Sequence, residues 1–480
     1  MARRRKKPRL PIQVRLDRLE AKHTSGLRLD EDGQPASPAE RWLVRAAPVG
    51  AVVEASPGRK KTARRRAIRE PAADQVAPDC PVFGVCGGCQ LQEMPLGRQR
   101  AEKERLIASL VGVSDGDGVQ AHPIEGAPAA YGYRNKLELS WGARRYVPES
   151  ALGPDGVKGI DLDGSFLGFH PPGWFGRIVP LEGCPLGTPA MNAAIARVAA
   201  LGLAPAWNAT THEGLWRHLV LRDLGTADAP DLVVTVVTTT AATPDDLAPV
   251  VAALEDLPGL RGVLWVVTDR VSEVAQGELR ATLWGRSDLE ARLGGATFEL
   301  PHDAFFQVNT AGAEVLVEVI RRALRAGADG RPGGLLLDLY CGVGALGLAL
   351  AGDYDDLLGV ELHEAAVETA RHNAARNGVS GRWVAGPVEA VVPELGLTQA
   401  THVVVDPPRA GLHPKAAAFL ASFDADVLVY VSCGPKSLGR DRAVLEAGGW
   451  RLTDLYGVDL FPQTHHTEAV GRFVRDRPGA

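Results

Sequence analysis

The sequence predicts an α/β protein with a doubly wound, mostly parallel sheet in its last third, a mixed central region and a small N-terminal β-barrel. Three observations lead there. After residue 300, apolar strand-like runs alternate with helical patterns. Over residues 11–55, short alternating apolar segments are broken by Gly and Pro, as in small barrels. A length of 480 residues is also more than one compact core accommodates.

Residues 1–70 are expected to form the barrel, with strand signals at Ile12, Val14 and Leu16, at Trp42 and Val44, and at Val52 and Val53. Basic charge concentrates in the same stretch: 19 Lys+Arg against 8 Asp+Glu, a balance of +11. The whole chain has 53 against 58, so the other 410 residues carry 34 against 50, or -16. Such asymmetry points to an N-terminal module that meets a polyanion. Arg59 to Arg69 reads as an arginine-rich linker leading toward Cys80. The basic run Arg3 to Lys7 has no apolar segment behind it, so no secretory signal is expected. The most apolar stretch, Leu335 to Ala351, contains Asp338, Gly342 and Gly344 and fits a strand, turn and helix better than a membrane span. A cytoplasmic protein is the expectation.

The central region, residues 71–300, is mixed, with strand-like runs at Leu232–Thr238 and Gly262–Thr268. Six cysteines, at 80, 86, 89, 184, 341 and 433, do not form a disulfide scaffold. In a reducing compartment they suggest metal or catalytic roles. The five-residue gap between Cys80 and Cys86 fits structural zinc poorly. Three close thiols (Cys80, Cys86, Cys89) plus the distant Cys184-Pro185 suit an iron–sulfur cluster better.

In residues 301–480, Leu316, Val319, Ile320 and Leu324 mark a helical face ending near Gly327. Strand-like runs follow at Leu335–Tyr340, Leu357–Glu361, Arg382–Ala385, His402–Asp406 and Val427–Ser432. Ligands of doubly wound sheets sit beyond the carboxyl ends of the strands. Tyr340, Glu361, Asp406 and Cys433 all fall at such an end or just past it. The first strand opens into Cys341-Gly342-Val343-Gly344, a turn that lets backbone approach a ligand closely. Glu361, about twenty residues on, is placed to accept hydrogen bonds from ribose hydroxyls. A dinucleotide or S-adenosylmethionine would suit this pair, although the full G-x-G-x-x-G spacing of dinucleotide sites is missing. Cys341 reads as a small packed residue.

Three further blocks carry chemistry: Asp406-Pro407-Pro408-Arg409-Ala410-Gly411, Tyr430-Val431-Ser432-Cys433-Gly434-Pro435 and Phe461-Pro462-Gln463-Thr464-His465-His466-Thr467-Glu468. Together with Phe305-Phe306-Gln307-Val308-Asn309, they resemble the signature blocks of the RNA uracil-5-methyltransferase family. The resemblance implies a Rossmann-like methyltransferase domain using S-adenosylmethionine. It also implies Cys433 as the nucleophile, Glu468 as the base, and Gln307, Tyr340, Glu361 and Asp406 as donor contacts. His465 and His466 read as residues that contact substrate or support those that do. Carbon 5 of uracil attacks a methyl sulfonium poorly until a thiolate adds to carbon 6. A base must then remove the carbon-5 proton so that the thiol can leave.

Cys86-Gly87-Gly88-Cys89-Gln90-Leu91-Gln92 and Gly183-Cys184-Pro185 are similar to the cluster-bearing members of that family, which implies a 4Fe-4S cluster on Cys80, Cys86, Cys89 and Cys184. Residues 44–52 are similar to the TRAM barrel that often precedes this enzyme. The implied substrate is RNA, 23S rRNA in the leading reading and the tRNA T-loop as the alternative, handled by a monomer with no membrane partner. A non-enzymatic RNA-binding or assembly factor is the rival class. Cytosine-5 methylation is disfavoured because Cys433 lacks a Pro-Cys context. Adenine amino-methylation is disfavoured because D-P-P-R stands where an aromatic-ended motif is needed.

Overall fold

The computed structural model describes residues 10–37, 40–148, 162–272, 274–325 and 332–475. The run Arg3 to Lys7 and the expected helix end near Gly327 lie outside the described residues.

Five strands close the N-terminal barrel in the order Ile12–Leu19, Thr24–Arg28, Arg41–Val44, Thr62–Glu70, Val52–Pro57. Alternation in the first strand buries Val14 and Leu16 and leaves Arg15 and Asp17 outside. Arg59 to Arg69 is therefore not a linker: most of it is the strand Thr62–Glu70. Ala63 and Ile68 pack on the barrel core while Arg64, Arg66 and Arg69 face solvent, and that charged outer row hides the strand from a composition-based reading.

A seven-stranded central sheet runs Glu278–Gly285, Leu260–Val267, Leu232–Thr238, Trp216–Asp223, Lys136–Arg144, Asp163–Phe169, Val179–Pro180. Helices Pro189–Ala200 and Pro244–Leu254 supply Met191, Ile195, Leu247 and Val250 to its core. Both follow a threonine, with proline in the first turn where no N–H is needed.

The last sheet is ordered Arg382–Ala385, Asp356–Glu361, Leu335–Leu339, Gln399–Val405, Asp424–Ser432, Glu468–Arg475, Trp450–Val458, Gln120–Ala121. Its first five strands are parallel, as the sequence predicts. Glu468–Arg475 is antiparallel to both its neighbours. Helix Leu96–Val111 packs on the same layer, through Ile107 and Val111 beside Leu438 and Leu445. Residues 96–121 thus sit with the last sheet, although they fall inside the stretch read as the central region.

Candidate active site

The sheet brings the expected nucleophile and base, Cys433 and Glu468, near each other. In the antiparallel pair, Ser432 stands opposite Ala469, and Cys433 and Glu468 are the residues that adjoin that pair on the two segments. One strand over, Val405 pairs with Tyr430, and Asp406 follows immediately. Cys433, Glu468, Asp406 and Arg409 therefore share one electrostatic neighbourhood at the carboxyl edge of the sheet.

Burial, with Glu468 and then Asp406 nearby, pushes the Cys433 thiol up to about 11, and Arg409 opposes the shift. Glu468 is fully enclosed, and burial together with Asp406 holds its carboxyl well above the usual range, again opposed by Arg409. Asp406 rises to about 7 through burial, with a smaller push from Asp338. All three groups favour their neutral forms, because three anions would crowd one low-dielectric corner. A cationic ligand entering that corner would reverse the balance.

The glycine turn after strand Leu335–Leu339 is tight. Tyr340 takes a positive φ of 64° as the chain leaves the strand. Gly344, at φ 81°, lies so close to Trp383 that an added Cβ would stand 3.0 Å from the ring. Glu361 reaches back to this turn: its Oε2 accepts from the Gly342 N–H at 3.2 Å, and its Oε1 accepts from the His363 N–H at 3.1 Å. The helix after the turn, Ala345–Leu350, is only six residues long. Cys341 is buried, in keeping with a packing role.

Gln307 lies in a segment clamped from both sides. Asn135 Nδ2 donates to the Gln307 carbonyl at 2.9 Å, and Asn309 Nδ2 donates to the Leu460 carbonyl at 2.9 Å. The second bond ties it to the loop that ends in Glu468.

Residues that carry no motif in the sequence hold that loop. Gln99 and Gln463 form a reciprocal pair: Gln99 Nε2 donates to Gln463 Oε1, and the Gln463 N–H donates to Gln99 Oε1, both at 2.9 Å. The Gln463 carbonyl accepts from the N–H groups of Gln90 and Leu91 at 2.9 and 3.0 Å. Lys103 Nζ, fully buried, donates to Asp459 Oδ1 at 2.5 Å and to the Phe461 carbonyl at 2.9 Å. Tyr133 donates its hydroxyl hydrogen to the Pro462 carbonyl at 2.9 Å. Gln99, Glu102 and Lys103 sit on the buried side of helix Leu96–Val111, where apolar periodicity gives no signal.

The adjacent histidines differ. His466 Nδ1 accepts from Arg409 at 2.5 Å, and burial followed by the Arg409 charge lowers its pKa to about 4. Burial lowers His465 to about 3, with Lys103 adding to the shift. Its Nδ1 lies 3.4 Å from Gln90 Oε1, and Gln90 uses its own Nε2 to donate to Gly87 and Gly88.

Cys80, Cys86, Cys89 and Cys184 converge on one cavity of about 420 Å³, which Phe83, Arg134 and Phe306 also line. All four thiols are free and partly exposed. Burial pushes Cys86 up to about 11 and Cys89 up to about 12, and the neighbouring thiols add to both shifts. Among the described residues, no group of three or more His, Cys, Asp or Glu side chains is arranged to hold a metal ion.

A five-strand parallel core with a reversed strand beside it, a glycine turn after its first strand, an acidic strand end and Cys433 near the buried Glu468 is the arrangement of an S-adenosylmethionine-dependent methyltransferase. The family model for tRNA (uracil-5-)-methyltransferases matches residues 289–384 and 394–476. A protein of Chlorobaculum tepidum named as an uncharacterized RNA methyltransferase is 35% identical over 431 residues, covering 86% of each chain. One of the same description from Clostridium tetani is 32% identical over 403 residues, covering 82% of this chain and 83% of its own. The chain belongs to the RNA uracil-5-methyltransferase family. The fold is shared with Pyrococcus abyssi tRNA (uracil-54, C5)-methyltransferase in complex with S-adenosyl-L-homocysteine, at TM-score 0.72 and 24% identity, over 96% of this chain and 99% of that one. Among the described residues, no helix is long and apolar enough to cross a membrane.

Proposed function

We propose that the protein methylates carbon 5 of a uridine in RNA, 23S rRNA in the first instance, through a covalent adduct on Cys433. The observation that supports this reading is that Cys433 and the buried Glu468 adjoin the Ser432–Ala469 strand pair and lie within electrostatic reach of each other. The Cys433 sulfur adds to carbon 6, and the ring becomes an enolate. Carbon 5 takes the methyl group, S-adenosylhomocysteine departs, Glu468 removes the carbon-5 proton, and the carbon–sulfur bond breaks to restore the uracil. A carboxylate whose proton affinity is raised by burial is a stronger base than an exposed one once it is ionised. Gln307, Tyr340, Glu361 and Asp406 are the proposed donor contacts, on a chain divided functionally near residues 70 and 300. The target base must leave its stack to reach the thiol, which favours unpaired RNA.

The same reading assigns a 4Fe-4S cluster to Cys80, Cys86, Cys89 and Cys184. Four free thiols lining one cavity of about 420 Å³ leave room for a multi-iron group, although they are not drawn together as ligands of a single ion. Its task is structural or RNA-positioning, because methyl transfer needs no electron.

Cys433→Ala should abolish transfer while leaving S-adenosylmethionine binding measurable by calorimetry; retained turnover would remove the nucleophile assignment. Mapping 5-methyluridine in total RNA of a deletion strain decides the substrate: loss from 23S rRNA supports the proposal, and loss from tRNA alone replaces it. Protein purified without oxygen should contain about four iron atoms per chain, as four-thiolate ligation implies. A colourless, iron-free product would refute the cluster.

A further inference from the structure

The loop between strands Asp163–Phe169 and Val179–Pro180 reads Pro171-Pro172-Gly173-Trp174-Phe175-Gly176-Arg177. Trp174 is 55% exposed and Phe175 69% exposed, whereas Trp141, Trp207, Trp216, Trp265, Trp383 and Trp450 are buried. Two adjacent large rings held in water contribute nothing to a core. Their neighbours are cationic. The Arg177 guanidinium lies 5.8 Å from the Trp174 ring centroid, and its Nη1 donates to the Arg145 carbonyl at 3.2 Å. Arg144 and Arg145 are themselves exposed.

This loop continues a basic face of the barrel. Arg64, on the barrel strand Thr62–Glu70, donates to the Tyr146 hydroxyl at 3.0 Å, and the Tyr146 N–H donates to the Ile178 carbonyl at 2.7 Å. Arg59, Lys60, Lys61 and Arg66 are exposed on the barrel side of that junction. In the other direction the aromatic loop abuts the cysteine loop so closely that a Cβ added at Gly87 would meet the His170 carbonyl at 2.9 Å. The cysteine loop in turn bonds to Gln463, five residues before Glu468.

We propose that Trp174 and Phe175 form a stacking platform for unpaired nucleotides of the substrate RNA outside the catalytic pocket, with the basic barrel edge following the same strand's phosphates. The inference rests on the RNA reading above. Bases stack on aromatic rings regardless of sequence, and cationic neighbours strengthen the contact. A partner protein would not require the run of arginines and lysines that flanks the rings, but a polyanion does.

The test uses the full-length protein, a fluorescein-labelled single-stranded oligouridylate, and a salt series. Removing each ring should weaken binding about tenfold, so Trp174→Ala/Phe175→Ala loses about a hundredfold. Because stacking releases no counterions, the slope of log affinity against log salt should not change. Lys60→Gln/Lys61→Gln should instead make that slope shallower. Trp174→Phe should restore most of the affinity. With RNA substrate, the double alanine variant should raise KM and leave kcat within about twofold. Equal binding by wild type and the double variant overturns the platform while sparing the RNA reading, as does a change confined to oligomeric state in sedimentation. Failure of wild type to bind any RNA overturns both.

Discussion

The Cys433 thiol, pushed up to about 11, is nearly all protonated at pH 7.5; on the order of one in 10³–10⁴ carries the charge that attack on carbon 6 requires. Its neighbours explain the deficit, because burial, Glu468 and Asp406 all oppose a further anion. The methyl donor brings the missing cation. A unit positive charge about 6 Å away, at an effective dielectric near 20, is worth about 3 kcal/mol, or about two pKa units. Donor binding should therefore bring the thiol down to about 9 and raise the thiolate fraction about a hundredfold. Intrinsic nucleophilicity falls as pKa falls, with a coefficient of roughly 0.4–0.5, so the net gain in reactivity is about tenfold.

Two donor analogues isolate the charge. S-adenosylhomocysteine carries a neutral sulfur, whereas sinefungin places an ammonium near the sulfonium position. Iodoacetamide labelling of Cys433, read by mass spectrometry of its peptide, should run about tenfold faster at pH 7.5 with sinefungin. The midpoint of its pH profile should also lie about two units lower. Identical midpoints with both analogues would refute the reasoning and leave the thiol to be activated by the RNA or by a rearrangement.

Glu468→Gln should still transfer the methyl group but fail to release carbon 5's proton, so a denaturation-resistant protein–RNA adduct should accumulate on gels; normal turnover would exclude Glu468 as the base. Among the described residues, Lys103→Met leaves the enclosed Asp459 with Arg100 as its ion-pair partner, whose Nε is 3.5 Å away. Loss of a buried partner costs about 3–5 kcal/mol, so urea unfolding should shift by that order, with kcat falling more than donor affinity. Asp338, raised to about 7 by burial, keeps a proton that the unfolded chain releases near pH 4. Its contribution to stability is complete below pH 4 and is lost as pH rises through 7. Buried histidines such as His465 act with the opposite sign, so the comparison is differential: the Tm of wild type minus that of Asp338→Asn should fall between pH 5 and 7.5, and a flat difference would refute the shift.

Much of the catalytic layer was legible because its strands are covered on both faces. Leu428, Val429, Tyr430 and Val431 are all buried, and such strands read as continuous apolar runs. The same pattern ends abruptly at Cys433, at the strand end where doubly wound sheets bind ligands. The barrel strand Thr62–Glu70 was not legible, since its inward residues are few and its outward row is arginine. The reversed strand was also missed: Glu468–Arg475 carries Arg472 and Arg475 among apolar residues, and composition does not fix the direction of a strand.

The least legible feature is also the one on which the chemistry leans most. In the block Q-T-H-H-T-E, Gln463 adopts a φ of 69° without being glycine. A non-glycine residue persists there only if its surroundings over-determine it. They do: both its amide and its backbone are paired, by Gln99 from one helix and by Gln90 and Leu91 from the cysteine loop. These partners lie more than three hundred residues away in the chain, and none belongs to the sheet that carries Cys433. The proposed catalytic pair is thus held by the sheet on one side and by buried polar contacts from residues 90–103 on the other. A reading by motif singles out Cys433 and Glu468; the physical reason their segments meet is spread over a stretch whose mark in the sequence is polar residues on the buried face of a helix.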